Sequence, residues 1–308
     1  NRNELPACSQ QLIDSNARRL LVEPCRCPSE PWYWQWQSTI SVDNFVYLEV
    51  GCNKGYDAVI NLRAYTANEV VDLDTYNQLT NFSLISCQID RDRWRDVASV
   101  KQSRAKQYSH YCVEPAKENV QPVLLAAKTL GFDKLGLHVH HAAVSSTSKP
   151  SMVKFPVVRP GDEAIGLDTD HSHYTEFYDV EVFTVDQFIV RQDLQRVDVL
   201  KIDTEGNDPL VIIGSIKTLT FMKPCYLQFE NHAVGRWATF QLKDIIDLLD
   251  GLNYECFWAA ESDILIQITS CWAKSYSKFK TWSNIACYHR ECDELKRTMD
   301  EHVVGEEK

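Results

Sequence analysis

Short apolar runs recur along the chain from Phe45 onward. Runs rich in β-formers stand at 45–50 (FVYLEV), 111–114 (YCVE), 137–144 (LHVHHAAV), 197–203 (VDVLKID) and 225–230 (CYLQFE). Segments of helical character, such as 116–130 and 237–250, separate them. This alternation predicts a mostly parallel sheet with helices on both faces. Beyond Tyr254 it stops. YECFWAA (254–260), DILIQIT (263–269) and SNIACYH (283–289) read as three strands with no long helix between them, which predicts an antiparallel edge at the C-terminal end of an α/β fold.

Two segments exceed what a minimal strand–helix–strand unit needs. Residues 66–110 form an insertion whose stretch DRDRWRDVASVKQSRAKQ reads as an exposed helix, and an insertion beside the strand ends suits a lid. Residues 158–176 read as a polar loop. Residues 1–41 are a Cys- and Trp-rich extension. Its PSEPWYWQWQ is too irregular for a helix and too apolar for a free linker, so it is expected to lie against the body. Residues 292–308 read as a polar tail.

Composition then narrows the class. The 308 residues are 44% hydrophobic and 11% aromatic, enough for a full core. Thirty-two basic against 43 acidic residues give a net charge of -11, with no dense run of Lys and Arg, so nucleic acid is not an expected partner. No apolar stretch reaches the ~18–20 residues of a membrane span. The chain begins at Asn1 rather than Met, which leads us to expect that an upstream anchor or signal has been removed.

Eleven cysteines, several crowded into the ends as in EPCRCPSEPW and ACYHREC, point to disulfides rather than zinc, because no second Cys or His pair stands at finger-like spacing from Cys25 and Cys27. An odd count leaves a thiol over, for which Cys52 and Cys112 are candidates. Asn81-Phe82-Ser83 is an N-glycosylation sequon. Together these features predict a secretory-pathway protein, membrane-anchored in the Golgi lumen or secreted.

The stretch YLEVGCNKGYDAV (47–59) carries the chemistry: a strand, a loop with two glycines, then a helix. Gly51 lets the backbone turn, Asn53 tolerates left-handed dihedrals and Gly55 allows close approach at the helix start. The loop lacks the middle glycine that makes room for a pyrophosphate, and Glu49 precedes it where a phosphate would be repelled. A cationic or zwitterionic ligand is expected, and S-adenosylmethionine meets that description. Glu114, at the end of HYCVE, is placed to accept both hydroxyls of a ribose, and Pro115 then breaks the strand. A diol is shared with NAD, so it is Glu49 and the missing glycine that favour S-adenosylmethionine.

These residues resemble the FkbM-type methyltransferase family. The resemblance runs in order through YLEVGCNKGYDAV, YCVEPAKENVQPV, HAAVSS, VEVFTVDQFI, VDVLKIDTEGNDPLVIIGS, CYLQFENH and SNIACYHRE, over about residues 42–291. Its most specific block is Lys201-Ile202-Asp203-Thr204-Glu205-Gly206. It implies a class I (Rossmann-like) fold, a seven-stranded mostly parallel sheet with an antiparallel C-terminal edge, that uses S-adenosylmethionine and usually methylates a hydroxyl oxygen. It also implies a cofactor site at Glu49, Gly51, Cys52, Asn53, Gly55, Glu114, Pro115 and Asp203, with Ala142 and Ala143 near the adenine.

Methyl transfer to a hydroxyl needs the acceptor oxygen aligned with the methyl carbon and its proton removed. Asp203 and Glu205, at i and i+2 on a strand that Gly206 ends, point the same way. They are suited to a divalent cation such as Mg²⁺ or Mn²⁺, or one of them to the ammonium of the cofactor; Glu205 could instead cap the following helix. Glu230-Asn231-His232 offers a second set at the same rim, with His232 the preferred general base and Glu230 orienting it. DTDHSH (168–173) is read as a solvated loop, and the N-terminal Trp residues would suit sugar stacking. The expected activity is therefore an S-adenosylmethionine-dependent O-methyltransferase acting on a glycan hydroxyl. The alternative is an inactive interaction protein on the same fold, and an NAD oxidoreductase comes third.

Overall fold

The computed structural model describes residues 8–66, 71–82, 106–147 and 149–305. The FVYLEV run becomes β1 (Asn44–Val50), the strand around which the molecule is organised. It pairs in parallel with β2 (Gln107–Glu114) on one side and β7 (Val199–Ile202) on the other. Its side chains alternate between two cores, as a strand covered on both faces must. Val46, Leu48 and Val50 join one apolar cluster with Leu200, Ile202 and Phe229. Phe45 and Tyr47 join the other, with Val199 and Tyr226.

Outward from β1, β2 pairs in parallel with β3 (Leu137–His141), and β7 with β8 (Tyr226–Asn231). The C-terminal strands β9 (Tyr254–Ala259), β10 (Leu265–Gln267) and β11 (Ser283–His289) complete the order β10–β9–β11–β8–β7–β1–β2–β3. Pairings of β11 with β8 and β9, and of β10 with β9, are antiparallel. The expected mostly parallel sheet with an antiparallel edge is present, with eight strands rather than seven. Each of the eight corresponds to one of the eight runs read from the sequence, including DILIQIT as the short edge strand β10; the number seven was what the family resemblance implied.

The run 137–144 does not make one strand. After β3, Ala142 donates its N–H to Glu114 O at 3.0 Å. The chain then enters β4 (Ala143–Val144) of a second sheet, ordered β4–β6–β5, with β5 (Ser151–Pro156) and β6 (Phe177–Phe183). The helix Val185–Arg191 follows, opened by a capping box in which Thr184 and Gln187 satisfy each other's backbone N–H.

The N-terminal extension is helical, contrary to the reading of PSEPWYWQWQ as irregular. Pro31 opens the helix Pro31–Thr39, a position where its missing N–H costs nothing. Trp32, Tyr33 and Trp36 are buried against the sheet, and Trp32 Nε1–H donates to Tyr226 Oη at 3.2 Å. These indoles are core residues, not a stacking surface. The C-terminal segment is also docked: the helix Asp293–Asp300 buries Leu295 and Met299.

Disulfides tie Cys8 to Cys271, Cys52 to Cys112, Cys225 to Cys292 and Cys256 to Cys287, and Cys27 is also disulfide-bonded. Cys52 and Cys112, taken as candidates for the spare thiol, thus bond each other, and among the described residues the free thiol is buried Cys25. Of the 66–110 insertion the helix Leu73–Thr80 is described. Most of DRDRWRDVASVKQSRAKQ, and Ser83 of the sequon, lie outside the described residues.

Candidate functional site

In an open α/β sheet a crevice forms beyond the strand carboxyl ends where successive strands lead away to opposite sides. Here that point lies between β1 and β7, and a cavity of about 200 Å³ opens there. Its floor is the glycine loop. Gly51, at φ 87°, donates its N–H to Val113 O at 2.8 Å. A Cβ on it would stand 1.6 Å from Asp203 O, so only glycine lets the loop lie across the end of β7. The Cys52–Cys112 bond, with Cα atoms 5.5 Å apart, ties the loop to β2. Gly55, at φ 69°, closes the turn through its N–H to Cys52 O at 2.7 Å and starts the helix Tyr56–Thr66. It does not line the cavity; Glu49, Gly51, Cys52, Asn53, Glu114, Pro115, Ala142, Ala143 and Asp203 all do.

Glu114 is buried, and each carboxylate oxygen accepts one backbone N–H: Oε2 from Asn53 and Oε1 from Ala116, both at 2.9 Å. Burial pushes this carboxyl up to about 7 although those hydrogen bonds favour its charged form. Pro115 O accepts from Tyr178 Oη at 3.0 Å, which holds the turn after β2. Ala142, Ala143, Val144 and Val158 supply an apolar wall beside it.

Glu49 differs from its expected role. Its carboxylate is 2% exposed and already answered, by His110 Nε2 at 2.9 Å and Lys201 Nζ at 3.1 Å, and Lys201 also pairs with Asp57. Burial works against the Lys201 charge, but Asp57, Glu49 and Asp203 outweigh it and hold the ammonium well above its usual range. Negative charge instead concentrates at the ends of β7 and β8. Burial lifts Asp203 to about 6 in spite of Lys201. Burial and then Asp203 lift Glu205 to about 8 and Asp208 to about 7. Glu230 is held well above the usual carboxylate range by burial, then by Asp203, Glu205 and Asp208.

Glu205 and Glu230 line the cavity together with Asp203. Glu230 Oε1 accepts the Trp282 indole N–H at 2.6 Å, and Glu230 N–H donates to Asp208 Oδ1 at 3.2 Å. His232, the preferred base, is not among the cavity-lining residues. Burial pushes it down to about 4, with Lys280 adding to the shift, and its Nδ1 accepts Val234 N–H at 3.3 Å. One donor atom each of Glu205, Glu230 and His232 lie within 4.8 Å of one another. Asp203, read as the metal partner of Glu205, stands outside that group.

Sequence reasoning missed the other wall. Arg26, Cys27 and Pro28 of the extension, Gln228 of β8, and Trp282 and Asn284 at the start of β11 line it. Gln228 Nε2–H donates to Asn284 Oδ1 at 3.0 Å, and Asn284 Nδ2–H to Arg26 O at 2.7 Å. The polar loop after β5 forms the roof. Asn53 Nδ2–H donates to Asp162 O at 3.0 Å, Lys54 pairs with Glu163, and Ala164 N–H donates to Glu205 Oε1 at 3.1 Å. In DTDHSH, His171 bonds within its own loop to Gly166 O and Thr169 Oγ1.

The Methyltransferase FkbM domain model matches residues 86–256, more than half of the chain. No curated protein matches. Among solved structures, the chain is similar to Methyltransferase FkbM from Methylobacillus flagellatus KT (12% identity, 90% of this chain and 58% of that one, TM-score 0.45). It is also similar to the SAM-dependent methyltransferase from Agrobacterium tumefaciens (7% identity, 85% and 62%, TM-score 0.36). It therefore spans less than two thirds of the length of either. With the family model matching more than half of its length, the chain belongs to the FkbM methyltransferase family.

Proposed function

We propose that this protein transfers the methyl group of S-adenosylmethionine to a hydroxyl oxygen of a carbohydrate. The observation that carries this reading is the division of one cavity into two chemically distinct ends. The first suits the cofactor: Glu114 for a ribose diol, Ala142, Ala143 and Val144 for an apolar base, and the Asp203 end for a cationic head. The second is lined by Trp282, Gln228 and Asn284, an aromatic side chain and two amides, groups of the kind that bind a sugar ring and its hydroxyls.

When bound, S-adenosylmethionine supplies a sulfonium methyl group open to in-line displacement by the acceptor oxygen. The new C–O bond forms as the C–S bond breaks, and the acceptor proton must leave to the protein. We assign that proton to Asp203 rather than His232. Asp203 lines the cavity at the junction of its two ends, where its own carbonyl abuts the Gly51 turn, whereas His232 stands behind the rim with Nδ1 occupied. Disulfide bonding across the fold supports action in an oxidising compartment, lumenal or secreted. The Golgi lumen is the setting we infer for a glycan acceptor.

Methyl transfer from labelled S-adenosylmethionine to a panel of methyl glycosides tests this. Turnover on at least one glycoside is expected, with Asp203→Asn lowering kcat by about 10²–10⁴, a much larger loss than the weakening of S-adenosylhomocysteine binding that follows from Asp203 also facing the cationic head. Intact cofactor binding with no transfer to any glycoside would instead favour a non-carbohydrate acceptor or a protein that kept the fold without the activity.

A further inference from the structure

His232 is 6% exposed and its Nε2 makes no hydrogen bond. A buried ring nitrogen without a partner is costly, and a structure that keeps one has a use for it. Nε2 stands 4.0 Å from Glu230 Oε2. That is too long for a hydrogen bond. It does suit two donors on one ion, because bonds of about 2.0–2.2 Å place neighbouring or opposed ligand atoms roughly 3–4.4 Å apart. Glu205 supplies a third donor, the three atoms lying within 4.8 Å of one another.

Each carboxylate is oriented from behind. Glu230 Oε1 is taken by the Trp282 N–H, which leaves Oε2 toward His232. Glu205 Oε1 takes the N–H of Ala164, leaving its second oxygen available. The residue reaches this position from a left-handed backbone conformation, φ 52°, just before Gly206. Lys201, which could otherwise neutralise this end, is engaged by Glu49 and Asp57.

We propose that Glu205, Glu230 and His232 form a divalent-cation site at the acceptor end of the cavity. Two carboxylates and one imidazole make a mixed oxygen–nitrogen set that suits Mn²⁺ or Zn²⁺ better than Mg²⁺. Ligation through Nε2 requires the ring proton on Nδ1, which displaces the long contact from Val234 N–H and so costs one weak hydrogen bond. Because Glu205 and Glu230 face the cavity while His232 backs them, an ion held by the three presents its open positions to the acceptor. There it would bind and polarise the acceptor oxygen. This last role rests on the O-methyl transfer reading; the ion site does not.

The test is titration of chelator-treated, full-length protein with Mn²⁺, followed by electron paramagnetic resonance, with Zn²⁺ titrated in parallel by calorimetry. Saturable binding of one ion per chain is expected, weakened at least tenfold by Glu205→Gln, by Glu230→Gln and by His232→Ala. Glu205→Gln keeps the test sound if the buried variants fail to fold, since Glu205 is only partly buried. Absence of saturable binding of either ion, or equal binding by wild type and Glu205→Gln, overturns the site. S-adenosylhomocysteine binding, measured on the same samples, reads the cofactor end separately, so failure of one reading is not mistaken for failure of the other.

Discussion

The two ends of the cavity are built in different ways. The end we assign to the cofactor comes from short contiguous segments where strands of the parallel sheet finish: 49–53 at the end of β1, 113–116 at the end of β2 and 142–144 after β3. The end we assign to the acceptor is gathered from Arg26–Pro28 of the N-terminal extension, Gln228 and Glu230 of the last parallel strand, Asn284 of an antiparallel one and Trp282 just before it. Their charges differ too. Glu49 at the cofactor end is answered by Lys201 and His110, whereas the carboxylates at the other end raise one another. One end follows directly from where the parallel strands stop; the other depends on contacts between segments distant in sequence, and it is there that the acceptor we propose would be selected.

Substitutions that strike one end alone sharpen this contrast, and one that strikes both should break it. Gly51→Ala has the largest expected effect. Its Cβ would overlap the Asp203 carbonyl, which cannot swing aside as a side chain would, so both ends shift together. Calorimetry should show S-adenosylhomocysteine affinity falling by two orders of magnitude or more, with a lowered thermal midpoint; near-normal affinity would mean that the loop is not the floor described.

Glu114→Gln should act at the cofactor end only. Replacing a charged acceptor of ribose hydroxyls by a neutral amide costs about 1.5 kcal/mol, roughly tenfold in affinity, with the acceptor KM unchanged. The pH dependence has a definite sign. Burial raises the Glu114 pKa from its ordinary 4.5 to about 7, so below that pH the carboxyl holds a proton and must lose it to accept the diol. Affinity for S-adenosylhomocysteine should weaken as pH falls through about 7, and Glu114→Gln should flatten the profile. The same raised value means that the ligand-free folded state binds a proton the unfolded chain has released between 4.5 and 7, so this group's contribution to stability declines as pH rises through that window.

The smallest effect belongs to Trp282→Phe. It keeps an aromatic face but removes the N–H that holds Glu230. A loss of about 0.5–1.5 kcal/mol should appear in kcat/KM for the acceptor, while cofactor binding stays within error. An equal loss at the cofactor end would show that the two ends are not separable.

What the sequence made legible follows the same division. Short, nearly continuous apolar runs marked β1, β2, β7 and β8, because strands buried on both faces carry little else than apolar residues, and the glycines and Glu114 stand at fixed distances from those strands. The three C-terminal strands were legible as elements, the short β10 among them, so the runs themselves pointed to eight strands where the resemblance implied seven. Trp282 was not legible as a site residue, since its place depends on β11 pairing beside β8, a contact between residues more than fifty positions apart. Nor was the neutralisation of Glu49, which requires Lys201 and His110 on the two flanking strands to point at the same face. PSEPWYWQWQ was legible as a segment lying against the body, but the prolines made it read as irregular and its Trp residues as suited to sugar stacking, whereas Pro31 starts a helix that buries Trp32 and Trp36.

The most direct measurement is calorimetric titration of the purified protein with S-adenosylhomocysteine, repeated with NAD. Saturable micromolar binding of the first and none of the second is the expected result. Binding of NAD, or of neither ligand, would contradict the assignment of the glycine loop and Glu114 as a working cofactor site.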